Sequence, residues 1–194
     1  MHKKAQFGVT AALIVGALLA VPVHARSLGL SDLPPEARLP GMKLNFAAMV
    51  VGTHTFKCSQ TDVAGQFGWY LVRSTGSLSN AKNAPLGETA IDYSGAPIIH
   101  TQAVWQDASG ATIVSSDTRQ GAIPGAPDLQ WRRYHILSTT GAGALANTTY
   151  VVRISAWKVL PYSAPCNKGH AGEQVSSSFQ AIDLFTFGVL PPPD

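Results

Sequence analysis

Beyond residue 50, apolar and polar residues alternate along much of the chain with a period of two. In the range 50–59, one face carries His54, Phe56 and Cys58, and the polar residues between them form the other face. Such alternation is typical of a strand with one face toward a core and one toward solvent. Six further segments rich in Val, Ile, Thr and aromatic residues also predict strands: 67–73, 98–106, 111–116, 130–138, 148–158 and 175–187.

The gaps between these segments carry the residues that turns require. The clearest hairpin spans 105–114, where Asp107-Ala108-Ser109-Gly110 supplies turn chemistry, and Gly141 and Gly143 interrupt any helix in 139–147. The sequence has no pattern of a long, capped amphipathic helix. We therefore predict an all-β fold, a single antiparallel β-sandwich or flattened β-barrel of about 8 to 11 strands with little helix.

The amino terminus has the three parts of a secretory signal. Lys3 and Lys4 precede an apolar run that ends in Val23-His24-Ala25, a small-x-small cleavage pattern. The run is shorter than the roughly 20 residues that span a bilayer, so we expect cleavage rather than an anchor and no membrane span afterwards. The predicted organisation is a signal peptide over 1–25, an extended proline-containing arm over 26–49 and a β-rich domain over 50–190.

Charge excludes one class of partner. Lys3 and Lys4 are two of the 14 Lys and Arg residues, so 12 remain after cleavage against 11 Asp and Glu. Arg132-Arg133 is the only basic doublet in that remainder. Nucleic-acid binding needs a clustered basic patch, so we expect no nucleic-acid partner. We expect a secreted or periplasmic protein whose partner is a small molecule or a surface component.

The two cysteines, Cys58 and Cys166, predict one disulfide. An even count in an exported chain favours a bridge. Metal is the weaker alternative, because neither cysteine has a second ligand at finger-like spacing; Cys166 with His170 alone is not a site. We therefore expect no metal and no cofactor.

Three charged residues stand inside otherwise apolar or aromatic strand segments: Arg133, Arg153 and Asp183. A charge on a packed face must be paired, so we predict that Arg153 and Asp183 are neighbours on adjacent strands. The alternative is a polar anchor in a pocket walled by Trp105, Trp131 and Trp157. On that interpretation the candidate ligand-binding residues are His100, Trp105, Trp131, Arg133 and Arg153.

No motif in the sequence indicates catalysis. The chain has no Gly-x-Ser-x-Gly elbow and no closely spaced histidine pair. The leading hypothesis is a non-catalytic binding or surface-interaction module. The alternative is an extracytoplasmic hydrolase-like enzyme with a site assembled in space around His100 or His135, because such sites are recognised by geometry rather than order.

A series of short motifs runs through the β-rich domain in a fixed order. They are Phe56-Lys57-Cys58, Trp69, His100, Trp105, Asp107-Ala108-Ser109-Gly110, Thr149-Tyr150-Val151-Val152-Arg153, Pro165-Cys166, His170-Ala171-Gly172 and Ala181-Ile182-Asp183-Leu184-Phe185-Thr186-Phe187. In order and spacing this series resembles a family of secreted bacterial and fungal proteins, domain of unknown function 3455. Since that family has no established activity, the resemblance implies export and paired cysteines rather than a mechanism.

Overall fold

The strands form one closed barrel. The computed structural model describes residues 29–93, 102–156 and 164–188. Each strand pairs antiparallel with the next, and the last pairs with the first, so the sheet has no open edge. The strands are β1 Lys43–Gln60, β2 Phe67–Ser79, β3 Pro85–Asp92, β4 Gln102–Asp107, β5 Thr112–Ile123, β6 Ala126–Thr140, β7 Tyr150–Ala156 and β8 Gln174–Phe187. The all-β prediction is confirmed, in its barrel form.

Helical structure within the described ranges is limited to short 3-10 turns, at Leu30–Asp32, Pro35–Ala37 and Lys168–His170. Among these residues no helix has the length and apolar character needed to cross a membrane.

Several strands run past their predicted bounds, as β2 does to Ser79 and β5 to Ile123, and one strand was not predicted. β1 begins at Lys43, inside the region predicted as an extended arm, and a bulge between Leu44 and Phe46 interrupts its pairing with β8. β3 was not predicted, because Gly87 and Glu88 weaken its alternation and only Thr89 and Ile91 of its residues are buried. Both segments are held by pairing on two sides, which a local pattern does not reveal.

The interior is packed with aromatic residues at the end where β1 begins and β8 ends. The ring of Phe185 stacks on Phe46 at 4.5 Å between centroids and meets Trp105 edge to face at 6.4 Å. Leu145, from the connection between β6 and β7, is 1% exposed and joins this core. We call this the Leu145 end.

The opposite end of the barrel carries the disulfide, and we call it the disulfide end. Cys58 on β1 is bonded to Cys166, which precedes β8, with 5.6 Å between their Cα atoms. The amide of Gly172 donates to the carbonyl of Cys58, and the indole of Trp69 donates to the carbonyl of Ala164 at 2.9 Å. The predicted bridge is confirmed, and it fastens the segment before β8 to the barrel rim.

A second apolar cluster lies outside the barrel. Residues 29–42, which we call the strap, run across the outer surface of the sheet before β1 begins. Leu33 and Ala37 of the strap are almost fully buried against Trp131, Val152 and Leu184. Consecutive residues of a strand point to opposite faces, so β6 and β7 contribute to the inner core and to this outer cluster at once.

Candidate functional site

An ion pair crosses the barrel interior between β7 and β8. Arg153 is paired in register with Asp183, and its Nε and Nη2 atoms each donate to one carboxylate oxygen at 2.7 Å. Nη2 also donates to Thr89 Oγ1 at 3.3 Å, and Trp105 Nε1 donates to Asp183 Oδ2 at 2.7 Å. The prediction that Arg153 and Asp183 are neighbours is confirmed. Their interaction is bidentate, which makes it one of the stronger kinds of hydrogen-bonded ion pair.

The surroundings of this pair explain why it stays charged. Burial alone lowers the pKa of the Arg153 guanidinium, but the charge and hydrogen bonds of Asp183 outweigh it and raise that pKa above its usual value. The guanidinium also lies 5.9 Å from the Trp105 ring and 6.0 Å from the Phe179 ring. The Arg153 guanidinium is therefore occupied by its partners in the core, which favours a structural role over that of a ligand anchor.

Toward the disulfide end the interior becomes polar, beginning with His54. Its Nδ1 lies 2.6 Å from Ser74 Oγ on β2, in a cross-strand hydrogen bond. Its ring stacks on Phe179 of β8, with 3.9 Å between centroids and 7° between planes. Three strands thus fix the position of one imidazole.

A glycine pair makes this stacking possible. Gly52 of β1 lies opposite Gly76 of β2 and also opposite Phe179 of β8. A Cβ atom on Gly52 would lie 2.8 Å from the Phe179 ring and 2.8 Å from the Gly76 Cα atom. Because neither glycine has a side chain, the Phe179 ring rests against the barrel wall and under the imidazole.

The electrostatic setting keeps His54 neutral. Burial lowers the pKa of His54 from 6.5 to about 4, and the positive charges of Arg153 and Arg132 act in the same direction. Near neutral pH the ring therefore has one donor and one acceptor nitrogen. It is suited to hydrogen bonding rather than to carrying charge.

Further polar side chains face inward at the same end. The guanidinium of Arg132 on β6 lies over the Tyr93 ring, 5.4 Å from its centroid. Gln130, two residues before Arg132 on the same face of β6, donates to Ser155 Oγ of β7 at 3.5 Å. The group defined by these inward side chains, which we call the polar end cluster, consists of His54, Ser74, Gln130, Arg132 and Ser155.

The residues predicted to bind a ligand do not converge on one pocket. Trp105 is fully buried inside the barrel, whereas Trp131 and Arg133 lie on its outer face, beneath the strap. A pocket walled jointly by Trp105 and Trp131 is therefore wrong, because the barrel wall separates the two rings. His100 and Trp157 lie outside the described residues.

Sequence reasoning missed most of the polar end cluster. Ser74 lies one residue beyond the predicted end of its strand, and the sequence pattern places His54 only on one face of a strand with Phe56 and Cys58. Arg132 was passed over in favour of Arg133, although in an alternating strand only one of two neighbours can face inward. The alternation was visible, but the sequence does not say which set faces the interior.

The histidines offer little support for catalysis. His135 lies on the outer face, with its ring 5.0 Å from the Tyr150 ring, and His170 Nδ1 lies 2.9 Å from Asn167 Oδ1 in an exposed turn. The His54–Ser74 pair has the elements of a base and a nucleophile. However, Ser74 is 1% exposed and lies on β2, which is paired with β1 and β3. The backbone amides around it are used in the hydrogen bonds of the sheet, so they are not available to stabilise an oxyanion.

Within the described ranges no group of three or more His, Cys, Asp or Glu side chains is placed to hold a metal ion. No family model matches the chain, and neither a curated protein nor a solved structure matches it significantly. The resemblance to family 3455 stays a prediction from the residues that carry it.

Proposed function

We propose that the protein is an exported, non-catalytic binding module that holds a small polar molecule at the disulfide end of its barrel. The observation that carries this proposal is the asymmetry of the interior. Aromatic and aliphatic side chains fill the Leu145 end, whereas the polar end cluster faces inward at the other. Eight-stranded barrels are wide enough to be filled by side chains or to hold one small ligand.

The chemistry of the polar end cluster suits a ligand that both donates and accepts hydrogen bonds. The neutral imidazole of His54 and the Ser155 hydroxyl can do either, while the Arg132 guanidinium only donates. The Phe179 and Tyr93 rings add apolar surface. Few polar groups placed among aromatic walls are the usual composition of a small-molecule site.

Export rests on different features. The predicted signal peptide and the disulfide both fit an oxidising compartment outside the cytoplasm. A hydrolase-like enzyme, which the sequence predicts around His100 or His135, would use a different histidine here, since the observation in its favour is the 2.6 Å contact between His54 and Ser74. The burial of Ser74 argues against that alternative, since a substrate carbonyl would have to reach a serine inside the wall.

The test is native mass spectrometry of the mature, oxidised protein purified from the cells that produce it. We expect a bound small molecule in the wild type. Ser155→Trp should abolish it by filling the disulfide end, whereas the matched variant Ser178→Trp, on the exposed outer face of β8, should retain it. Equal occupancy in both variants would refute the proposed site. Hydrolysis of a chromogenic acetyl ester that disappears in Ser74→Ala would establish the enzyme instead.

A further inference from the structure

Two arginines face each other on the outer surface of the barrel. Arg119 of β5 is paired in register with Arg133 of β6, so their side chains leave the sheet on the same side. Like charges directly opposite on neighbouring strands are unfavourable. The pair is separated from the polar end cluster, because the barrel wall lies between them.

The inner member of the pair, Arg133, is held beneath the strap. Arg133 is only 5% exposed, and its Nη1 donates to the carbonyl of Glu36 in the strap at 3.3 Å. Burial lowers the pKa of Arg133, and the charge of Arg119 lowers it further. Arg119 itself is exposed, so its guanidinium can turn toward solvent or toward a bound molecule.

A cleft adjoins this pair between the strap and the β5–β6 hairpin. Its volume is about 560 Å³, and Arg119, Gln120, Pro124 and Trp131 contribute to its lining. A Cβ atom on Gly121 would lie within 3.1 Å of the Trp131 indole, so no side chain separates that ring from the hairpin. Among the described residues that line the cleft, Glu36 on the strap is the one acid.

We propose that this cleft binds a small organic carboxylate. The carboxylate accepts hydrogen bonds from the planar guanidinium of Arg119, which matches its geometry. The volume exceeds that of a bare inorganic anion and lies in the range of small-ligand pockets. The apolar surfaces of Pro124 and Trp131 provide contact for the carbon body of the ligand.

The probe for this site is benzoate, titrated into ¹⁵N-labelled mature protein at constant ionic strength. The indole resonance of Trp131 is assigned as the one that Trp131→Phe removes. We expect benzoate to shift this resonance in a saturable way. Arg119→Gln should weaken the binding by about tenfold or more, the difference that a lost charge-assisted hydrogen bond of about 1.5 kcal/mol makes.

Two controls make the result decisive. Arg73→Gln removes an exposed arginine from β2, far around the barrel from the cleft, and should leave the affinity for benzoate unchanged. Benzyl alcohol has a similar body without the charge and should not shift the Trp131 resonance. The proposal is overturned if benzoate produces no saturable shift, if Arg119→Gln binds as tightly as wild type, or if benzyl alcohol binds equally well.

Discussion

Removing one member of the Arg153–Asp183 pair should destabilise the barrel far more than replacing both. Asp183 is fully buried, and it accepts two hydrogen bonds from Arg153 and one from Trp105. In Arg153→Met, the carboxylate keeps only the indole as a partner. In Asp183→Leu, the guanidinium is left between aromatic rings without a counter-charge.

Each single variant should lose about 3–5 kcal/mol of unfolding free energy, the cost of an uncompensated buried charge. The double variant leaves no unpaired charge between β7 and β8. Its main remaining loss is the partner of the Trp105 indole, since the 3.3 Å contact of Arg153 with Thr89 is long for a hydrogen bond, and one stranded neutral group costs about 1–3 kcal/mol. We therefore expect the double variant to be destabilised by about 1–3 kcal/mol, well below the sum of the single effects.

Urea unfolding of the four oxidised proteins measures this coupling. With a slope of about 2 kcal/mol per molar urea, a single variant should unfold about 2 M earlier than wild type, and the double variant should recover most of that difference. Strictly additive effects would refute the reasoning, because they would show that the two side chains do not depend on each other. Single variants as stable as wild type would refute it equally.

Three further predictions concern acid, the disulfide and the strap. Between about pH 6.5 and 4 the unfolded chain binds a proton that native His54 does not. Acidification through this window should therefore cost about 1–2 kcal/mol after solvent screening, and His54→Gln but not His135→Gln should flatten the dependence of urea midpoint on pH. Replacing Cys58 and Cys166 by serine should lower the unfolding free energy by up to about 4–5 kcal/mol, since the bridge closes a long loop; an unchanged urea midpoint would contradict this. Leu33→Ala should cost about 2 kcal/mol in thermal or urea unfolding by opening a cavity under the strap, and a neutral result would mean that the strap does not contribute to the fold.

Much of the fold could be predicted because strands with one buried face show alternating apolar and polar residues in the sequence. Seven of the eight strands in the barrel correspond to predicted segments. β3 was not predicted because Gly87 and Glu88 have low strand propensity, and its position depends on its pairing with β2 and β4. The choice between sandwich and barrel depends on whether β1 reaches β8, a long-range pairing that no local pattern contains.

The candidate site was harder to predict for the same reason. The charged pair Arg153 and Asp183 could be inferred, because a charge in an apolar strand needs a partner of opposite charge and few other residues could supply one. Trp105 and Trp131 could not be sorted into inside and outside, since alternation gives two faces without identifying either. The approach of His54 to Ser74 also depends on a register that shifts just beyond it, between Thr55 and Phe56.

Closure of the sheet by β1 and β8 has a consequence for how the molecule reaches its native state. The first and last strands are neighbours, so the ladder between them must wait until almost the whole chain is present. Every intermediate that lacks it exposes two unpaired strand edges, which can recruit a second molecule. Contacts of such large sequence separation also slow folding. We therefore expect newly synthesised molecules to be prone to aggregation until β1 pairs with β8. A chaperone that covers the unpaired strand edges would reduce this aggregation.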